Sequence, residues 1–335
     1  MTRLTADVAR ASPGLGPIEL ARMLGVEVPI VQAPMTHIAG ARLAAAVSEA
    51  GALGIIETTS PEGRADLIKV RDLTDRPVGA NIALAMRKDP SIVELLAGAG
   101  IKFVTTSSGS PALLTDRLHD AGITVFHVVG TLNNAIKSVD AGVDGLVVEG
   151  IEGGGFKNPL GASTMVLLPL IASRVDLPLI SAGGICDGRS MAAALILGAA
   201  GVQMGTRMLA SLESPVHSNF KDAVIASDDT GTRLLSLPGL PTMRVIRTVA
   251  AERAAEGGTQ VGIEEIRNLY FEGNMDAALA NTGQVAGRIQ MLESVADIIG
   301  STWNDCLSRL KELIVQLNID LADQLAASLL NQVIS

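Results

Sequence analysis

Apolar residues in this chain gather in short runs, and a stretch of helical composition follows each one. The runs begin near Pro29 (PIVQAP), Leu53 (LGIIET), Pro77 (PVGANI), Lys102 (KFVTT), Thr124 (TVFHVV), Gly145 (GLVVEG), Pro178 (PLISAG) and Gly201 (GVQMGT). Continuous Val, Ile and Leu in runs this short mark strands buried on both faces. Successive runs start 21 to 33 residues apart, the length of one β/α unit. The intervening segments 39–50, 112–121 and 189–197 read as helices, with Gly51, Gly122 and Gly198 at or near their C-terminal ends. Eight such units predict an α/β fold of the (β/α)8 TIM-barrel type. A doubly wound sheet is the rival, but it rarely needs eight strands in one unbroken series of parallel crossovers.

After Thr206 the pattern changes. Residues 214–226 read as a helix, 234–247 carries two prolines and a glycine, and 252–258 reads as loop. The expected division is a barrel over 1–206, a capping substrate insertion over 207–285, and a barrel-packing helix with a helical tail over 286–335. The returning helix is expected at 285–299. The tail repeats Leu310, Leu313, Ile314, Leu317, Leu321, Leu325 and Leu329 at helical spacing. It either packs on its own barrel or forms the helix of a homodimer. The run Asn268–Gly273 looks like a protease-tag scar, but it lies inside the chain and has Glu where that tag has Gln.

Composition narrows the function. With 335 residues the chain can bury a large core, and 48% hydrophobic with only 2% aromatic residues means that small aliphatics fill it. A net charge of −9 and the scarcity of aromatics argue against nucleic acid as a partner. Two cysteines, Cys186 and Cys306, are too few and too distant for a disulfide scaffold or a zinc site. No His, Asp and Glu group has metal-ligand spacing. No apolar run is long enough for a membrane span, and residues 1–16 lack a signal-peptide layout. A cytoplasmic enzyme acting on a small molecule is the expectation.

The chemistry of a TIM barrel sits on the loops that follow its strands. The strongest signal there is Ser181-Ala-Gly-Gly-Ile-Cys-Asp-Gly188, followed by Gly201-Val-Gln-Met-Gly-Thr-Arg207. Each is an apolar strand ending in glycine before a helical stretch, so backbone N–H groups can approach a phosphate. Dinucleotide and Walker spacings are missing, which leaves a mononucleotide-like phosphate, with flavin mononucleotide (FMN) as the leading ligand. Other strand ends carry His37, Asn81, His127, Glu149 and the glycines 153–155. Asn81 either bonds the edge of a flat heterocycle or satisfies backbone. Glu149 needs a hydroxyl or a cation, and a ribityl hydroxyl would suit it. The glycines either admit a planar ligand or form a plain turn. His37 and His127 are each an acid/base group or an ordinary structural histidine. His119 and His217 fall mid-helix, facing solvent.

The order of these motifs resembles the nitronate monooxygenase (2-nitropropane dioxygenase) family, whose superfamily includes FMN-dependent enoyl-acyl-carrier-protein reductases and NADH:quinone reductases. The matching pieces are PIVQAPM, PVGANI, EGIEGGG, SAGGICDGRSMAAALILGAAGVQMGTR and GQVAGRI, spread over about residues 25–290. The resemblance implies a TIM barrel with non-covalent FMN at its mouth. It places Ala33, Pro34, Met35 and Asn81 along the isoalloxazine and Glu149 beside the cofactor. Gly183, Gly184, Gly205 and Thr206 would hold the phosphate, and His127 would lie toward the phosphate or ribityl side. One departure bears on catalysis. The family pattern Glu-x-Gly-Gly-His, aligned on Glu152-Gly-Gly-Gly, puts Phe156 where the acid/base histidine belongs. His37 is then the candidate to replace it, since it follows the Gln32–Met35 loop. Three functions stay open: oxidation of a nitronate or similar carbanion with dioxygen, NAD(P)H-dependent reduction of an activated C=C bond or quinone, and flavin binding without turnover.

Overall fold

The computed structural model describes residues 16–86, 91–257 and 265–317. Its strands are β1 (Ile30–Gln32), β2 (Gly54–Glu57), β3 (Val78–Ala83), β4 (Phe103–Ser107), β5 (Thr124–Val129), β6 (Gly145–Glu149), β7 (Gly155–Phe156), β8 (Leu179–Ala182), β9 (Gly201–Met204), β10 (Thr232–Leu235) and β11 (Met243–Ile246). Eight of them form one parallel sheet in the order β1-β9-β8-β6-β5-β4-β3-β2. A parallel bridge between Val31 and Leu53 joins its two edges, with Gln32 N donating to Leu53 O at 3.0 Å and Leu53 N to Ile30 O at 2.9 Å. The fold is the expected TIM barrel, and every apolar run forms one of its strands.

Strand alternation sorts the core into two layers. Val31, Leu53, Ile55, Phe103, Phe126, Val147 and Ile180 fill the barrel interior. Ile56, Ala80, Val104, Val125, Leu146 and Val148 face the surrounding helices. Phe103 and Phe126 pack at 5.1 Å between ring centroids and fill a space that aliphatics leave. Gly145 makes room for them, because a Cβ there would lie 2.2 Å from Cζ of Phe126.

The segments beyond the eighth barrel strand differ from the sequence reading in four places. The proline-bearing stretch 234–247 is an antiparallel hairpin, β10 with β11, and β11 also pairs with the two-residue β7, setting Met243 opposite Phe156. A helix runs over Val249–Ala255, capped by Thr248, where loop was expected. The returning helix starts at Val295, ten residues later than expected, and runs to Gln316. Before it, Gln284–Arg288 is a 3-10 turn held against the barrel mouth, with Gly283 N donating to Thr206 Oγ1 and Gln284 N to Glu152 O, both at 2.9 Å. His217 is the N-cap of the helix Ser218–Ile225 and accepts from Asn219 N, so it is not mid-helix. His119 is exposed on its helix beside Asp144, as read.

The helix Val295–Gln316 packs on Gly188–Ile196 and Ala41–Glu49. Leu310, Leu313 and Ile314 belong to it; Leu321, Leu325 and Leu329 lie outside the described residues. The tag-like run forms the helix Ile266–Glu272, with Leu269 and Tyr270 buried, and is an integral part of the fold. Among the described residues no helix is long and apolar enough to cross a membrane, and no His, Cys, Asp and Glu group could hold a metal.

Candidate active site

A cavity of about 470 Å³ opens at the C-terminal ends of the barrel strands, under the hairpin and the helix Ile266–Glu272. Ala33, Pro34, Met35, His37, Asn81, Glu149, Phe156, Gly183, Gly184, Gly205 and Thr206 all line it. His127 does not.

On one side the cavity is a cradle of backbone. Gly183 and Gly184 have φ of 81° and 82°, the left-handed region that glycine enters without strain. A Cβ on Gly183 would sit 2.9 Å from Gly150 O, whereas nothing approaches a Cβ on Gly184 closer than 3.9 Å. The first glycine thus permits packing, and the second leaves open space toward the cavity. The amides of Gly183, Gly184 and Gly205 have no acceptor among the described residues. Helix Thr206–Leu209 is a single turn, so attraction for an anion comes from these amides more than from a macrodipole. Arg207 takes no part, being turned onto Glu293 and the carbonyl of Met291.

Buried polar atoms without partners ring the same cavity: Gln203 Oε1, Asn281 Oδ1 and His37 Nδ1. Such atoms are costly unless something bonds them. Unpaired amides at one end and unpaired amide and imidazole groups along the walls fit a phosphate-bearing heterocycle such as a flavin mononucleotide. Asn81 is partly committed, with Nδ2 donating to Thr105 O at 3.0 Å and to Thr105 Oγ1 at 2.9 Å.

The glycines 153–155 allow a close approach of two backbones. A Cβ on Gly154 would lie 2.8 Å from Gly283 N, which shows how tightly the 282–283 segment crosses this loop. Arg244 on β11 donates from Nε to Ile151 O at 2.9 Å and fastens the loop from the hairpin side. Glu149, expected to meet a hydroxyl or a cation, meets the cation: Oε1 lies 2.7 Å from Lys157 Nζ. Phe156 stands at the rim and is 44% exposed.

His37 adopts φ of 66°, a left-handed conformation that costs a non-glycine residue about 1–3 kcal/mol. Glu57, buried at the end of β2, holds it there by accepting from His37 N at 3.2 Å. The same carboxylate accepts from Thr59 N at 2.8 Å and from both the amide and the hydroxyl of Ser60. His127 requires correction. Phe126 and Val128 take the inward register of β5, so His127 shares the outward face of Val125 and Val129 and lies behind the barrel wall. Its Nδ1 meets Thr106 Oγ1 at 2.8 Å, and burial pushes its pKa down to about 4. It is a structural histidine that cannot reach a ligand in the cavity. Burial also pushes the Cys186 and Cys306 thiols up to about 11, which removes both as ready nucleophiles.

Sequence reasoning passed over Glu57, Lys157, Gln203, Tyr270 and Asn281, all of which line the cavity. Glu57 and Gln203 end barrel strands and were within reach of the strand-end rule. Tyr270 was hidden in the tag-like run, and Asn281 had no local signal.

A parallel eight-stranded barrel with an anion cradle after its last two strands defines a class of phosphate-binding barrel enzymes. Comparison with known proteins narrows this. The family model for nitronate monooxygenase matches residues 19–92 and 84–305, and the chain belongs to that family. It is 36% identical to a Mycobacterium tuberculosis protein named (3aS,4S,5R,7aS)-5-hydroxy-7a-methyl-1-oxo-octahydro-1H-indene-4-carboxyl-CoA dehydrogenase, over 81% of this chain and 74% of that one. Nitronate monooxygenase of Pseudomonas aeruginosa is 33% identical over 61% of this chain and 72% of its own length. Among solved structures, FabK from Thermotoga maritima superposes with a TM-score of 0.80 at 32% identity, covering 88% of this chain and 97% of FabK. The chain is therefore an enzyme of the oxidoreductase class, and its cradle agrees with a flavin cofactor.

Proposed function

We propose that the protein is an FMN-dependent oxidoreductase that takes electrons from a carbon acid whose anion rests on oxygen. A ring-bearing acyl thioester is the favoured substrate class. The observation that carries this reading is the pair of neighbours at the rim. By the resemblance Phe156 takes the position of the family's acid/base histidine, and both it and Lys157 line the cavity, so the site offers an apolar ring there and an ammonium one residue on. A hydroxylated bicycle carried as a thioester, the substrate in the name of the 36%-identical relative, matches that combination: the ring suits Phe156, and the oxygen on which its carbanion rests suits the ammonium.

In this reading the amides of Gly183, Gly184 and Gly205 and the hydroxyl of Thr206 hold the FMN phosphate. Ala33, Pro34, Met35 and Asn81 lie along the ring, and His37 reaches the substrate from the first loop. When bound, the flavin supplies a two-electron acceptor. The residues of the chain hold the substrate, exclude water and carry the proton.

Nitronate oxidation is the second reading, and Phe156 itself favours it. A nitronate is already deprotonated and needs no enzyme base, so the loss of the histidine costs it little. Anaerobic mixing of the yellow enzyme with propionate 3-nitronate, a β-hydroxyacyl-coenzyme A, NADH and NADPH separates the readings by flavin bleaching. Bleaching by the thioester is the expected result. Bleaching by nitronate alone selects the second reading, and bleaching by NADH or NADPH alone selects a reductase with a nicotinamide co-substrate. Protein that neither carries nor takes up FMN overturns all three.

A further inference from the structure

We infer that Lys157, held by Glu149, is the oxyanion-binding residue of this site and takes over the electrostatic part of the work that the family assigns to the histidine at the position of Phe156. The inference rests on the reading that the substrate is a carbon acid.

Three observations lead to it. The Lys157 side chain lines the cavity yet is only 3% exposed, against 28% for Glu149. Its ammonium has three N–H groups. Nζ lies 2.7 Å from Glu149 Oε1 as an ion pair and donates to the carbonyl of Phe156 at 3.0 Å; no other acceptor for it is found among the described residues. The backbone is built to place it: Lys157 N donates to Thr242 O at 2.8 Å, continuing the β7–β11 pairing. A Cβ on Gly153 would lie 2.7 Å from Glu149 Oε1, 2.9 Å from Lys157 Cε and 3.0 Å from Nζ, so glycine there leaves the pair its place without displacing either side chain.

A buried ion pair is a poor device for stability, since desolvating two charges consumes most of their attraction. Glycine beneath it and a fixed strand beside it cost further freedom. What the arrangement provides is an ammonium with an unspent donor at the wall of the cavity, beside the apolar ring of Phe156. An enolate, alkoxide or nitronate oxygen is the ligand such a group selects. Glu149 keeps the ammonium in place and moderates its charge.

Acetoacetyl-coenzyme A tests the assignment, because its enolate carries the oxyanion and absorbs distinctively. Butyryl-coenzyme A, which has the same carrier and cannot form that enolate, is the control. Calorimetry and enolate absorbance are read on the FMN-loaded wild type and on Lys157→Met with flavin content matched. The wild type is expected to bind acetoacetyl-coenzyme A as the enolate. Lys157→Met is expected to weaken this by about 10- to 100-fold, the loss of a hydrogen bond to a charged group, with butyryl-coenzyme A unaffected. Lys157→Gln keeps a donor toward Glu149 and serves if the methionine variant does not hold its fold; the same loss is expected. Enolate binding at wild-type affinity in a neutral variant overturns the role of Lys157 while leaving the substrate class standing. A wild type that binds neither this enolate nor propionate 3-nitronate overturns both.

Discussion

Phe156 lines the cavity at the position where the family resemblance expects an acid/base histidine. Phe156 cannot give or take a proton, and a positioned acid/base is worth about 100- to 10,000-fold in rate. Phe156→His is therefore expected to raise kcat/KM for a nitroalkane, whose α-proton must be removed, by at least about tenfold, with a smaller change for the preformed nitronate. Steady-state assays on both forms of one substrate decide it, and an equal change for both would remove Phe156 from the reacting end. His37 offers a complementary test. Its strained φ and its unpartnered Nδ1 mark a residue held for a purpose. His37→Ala is expected to lower turnover while the ratio of bound FMN to protein, read from the absorption spectrum, stays at its wild-type value. Loss of flavin in that variant would make His37 a cofactor ligand instead.

At the scale of the element, strand parity decides which residues meet the ligand. The run Thr124–Val129 has a histidine near the C-terminal end of a barrel strand, the position where chemistry is expected, yet its register turns His127 outward. Parity is set by how β5 pairs with β4 and β6, which no local pattern states when both faces of a strand are apolar. The buried imidazole then becomes a stability device with a definite sign. Folded, it stays neutral down to about pH 4; the unfolded chain takes up a proton near 6.5. Between these values the unfolded state binds more protons, so stability is complete above about pH 6.5 and drains away as pH falls toward 4, by at most about 1.4 kcal/mol per unit. Urea unfolding at pH 7, 6 and 5 should show a shallower decline for His127→Leu than for the wild type, with FMN retention intact. Parallel slopes in the two proteins would contradict the depressed pKa.

For the whole molecule, barrel loops, the β10–β11 hairpin and the helix Ile266–Glu272 line one cavity, and FMN held there would bind only the folded state. Saturating FMN at 100 times its dissociation constant should stabilise the fold by about 2.7 kcal/mol. Thermal unfolding of the stripped protein with rising FMN should show the midpoint climbing with concentration. Gly184→Asp is expected to abolish that climb, because the carboxylate occupies and repels the phosphate position at a site where φ is 82°. A midpoint indifferent to FMN in the wild type would exclude the cradle as its site.

Spacing, apolar runs and glycine placement belong to the chain itself, and they determined the eight strands, their parallel order and the two glycine turns at the cavity. Short-range periodicity states which segments are buried strands, and a glycine before a helix states where a backbone can meet an anion. Contacts that join distant segments were decided only by the tertiary structure. The partner of Glu149 is Lys157, eight residues on across a loop that β11 pins in place. The close crossing of Gly154 and Gly283 and the hidden face of His127 arise in the same way. Each depends on where backbones approach one another, and approach is a property of the packed barrel that no window of sequence contains.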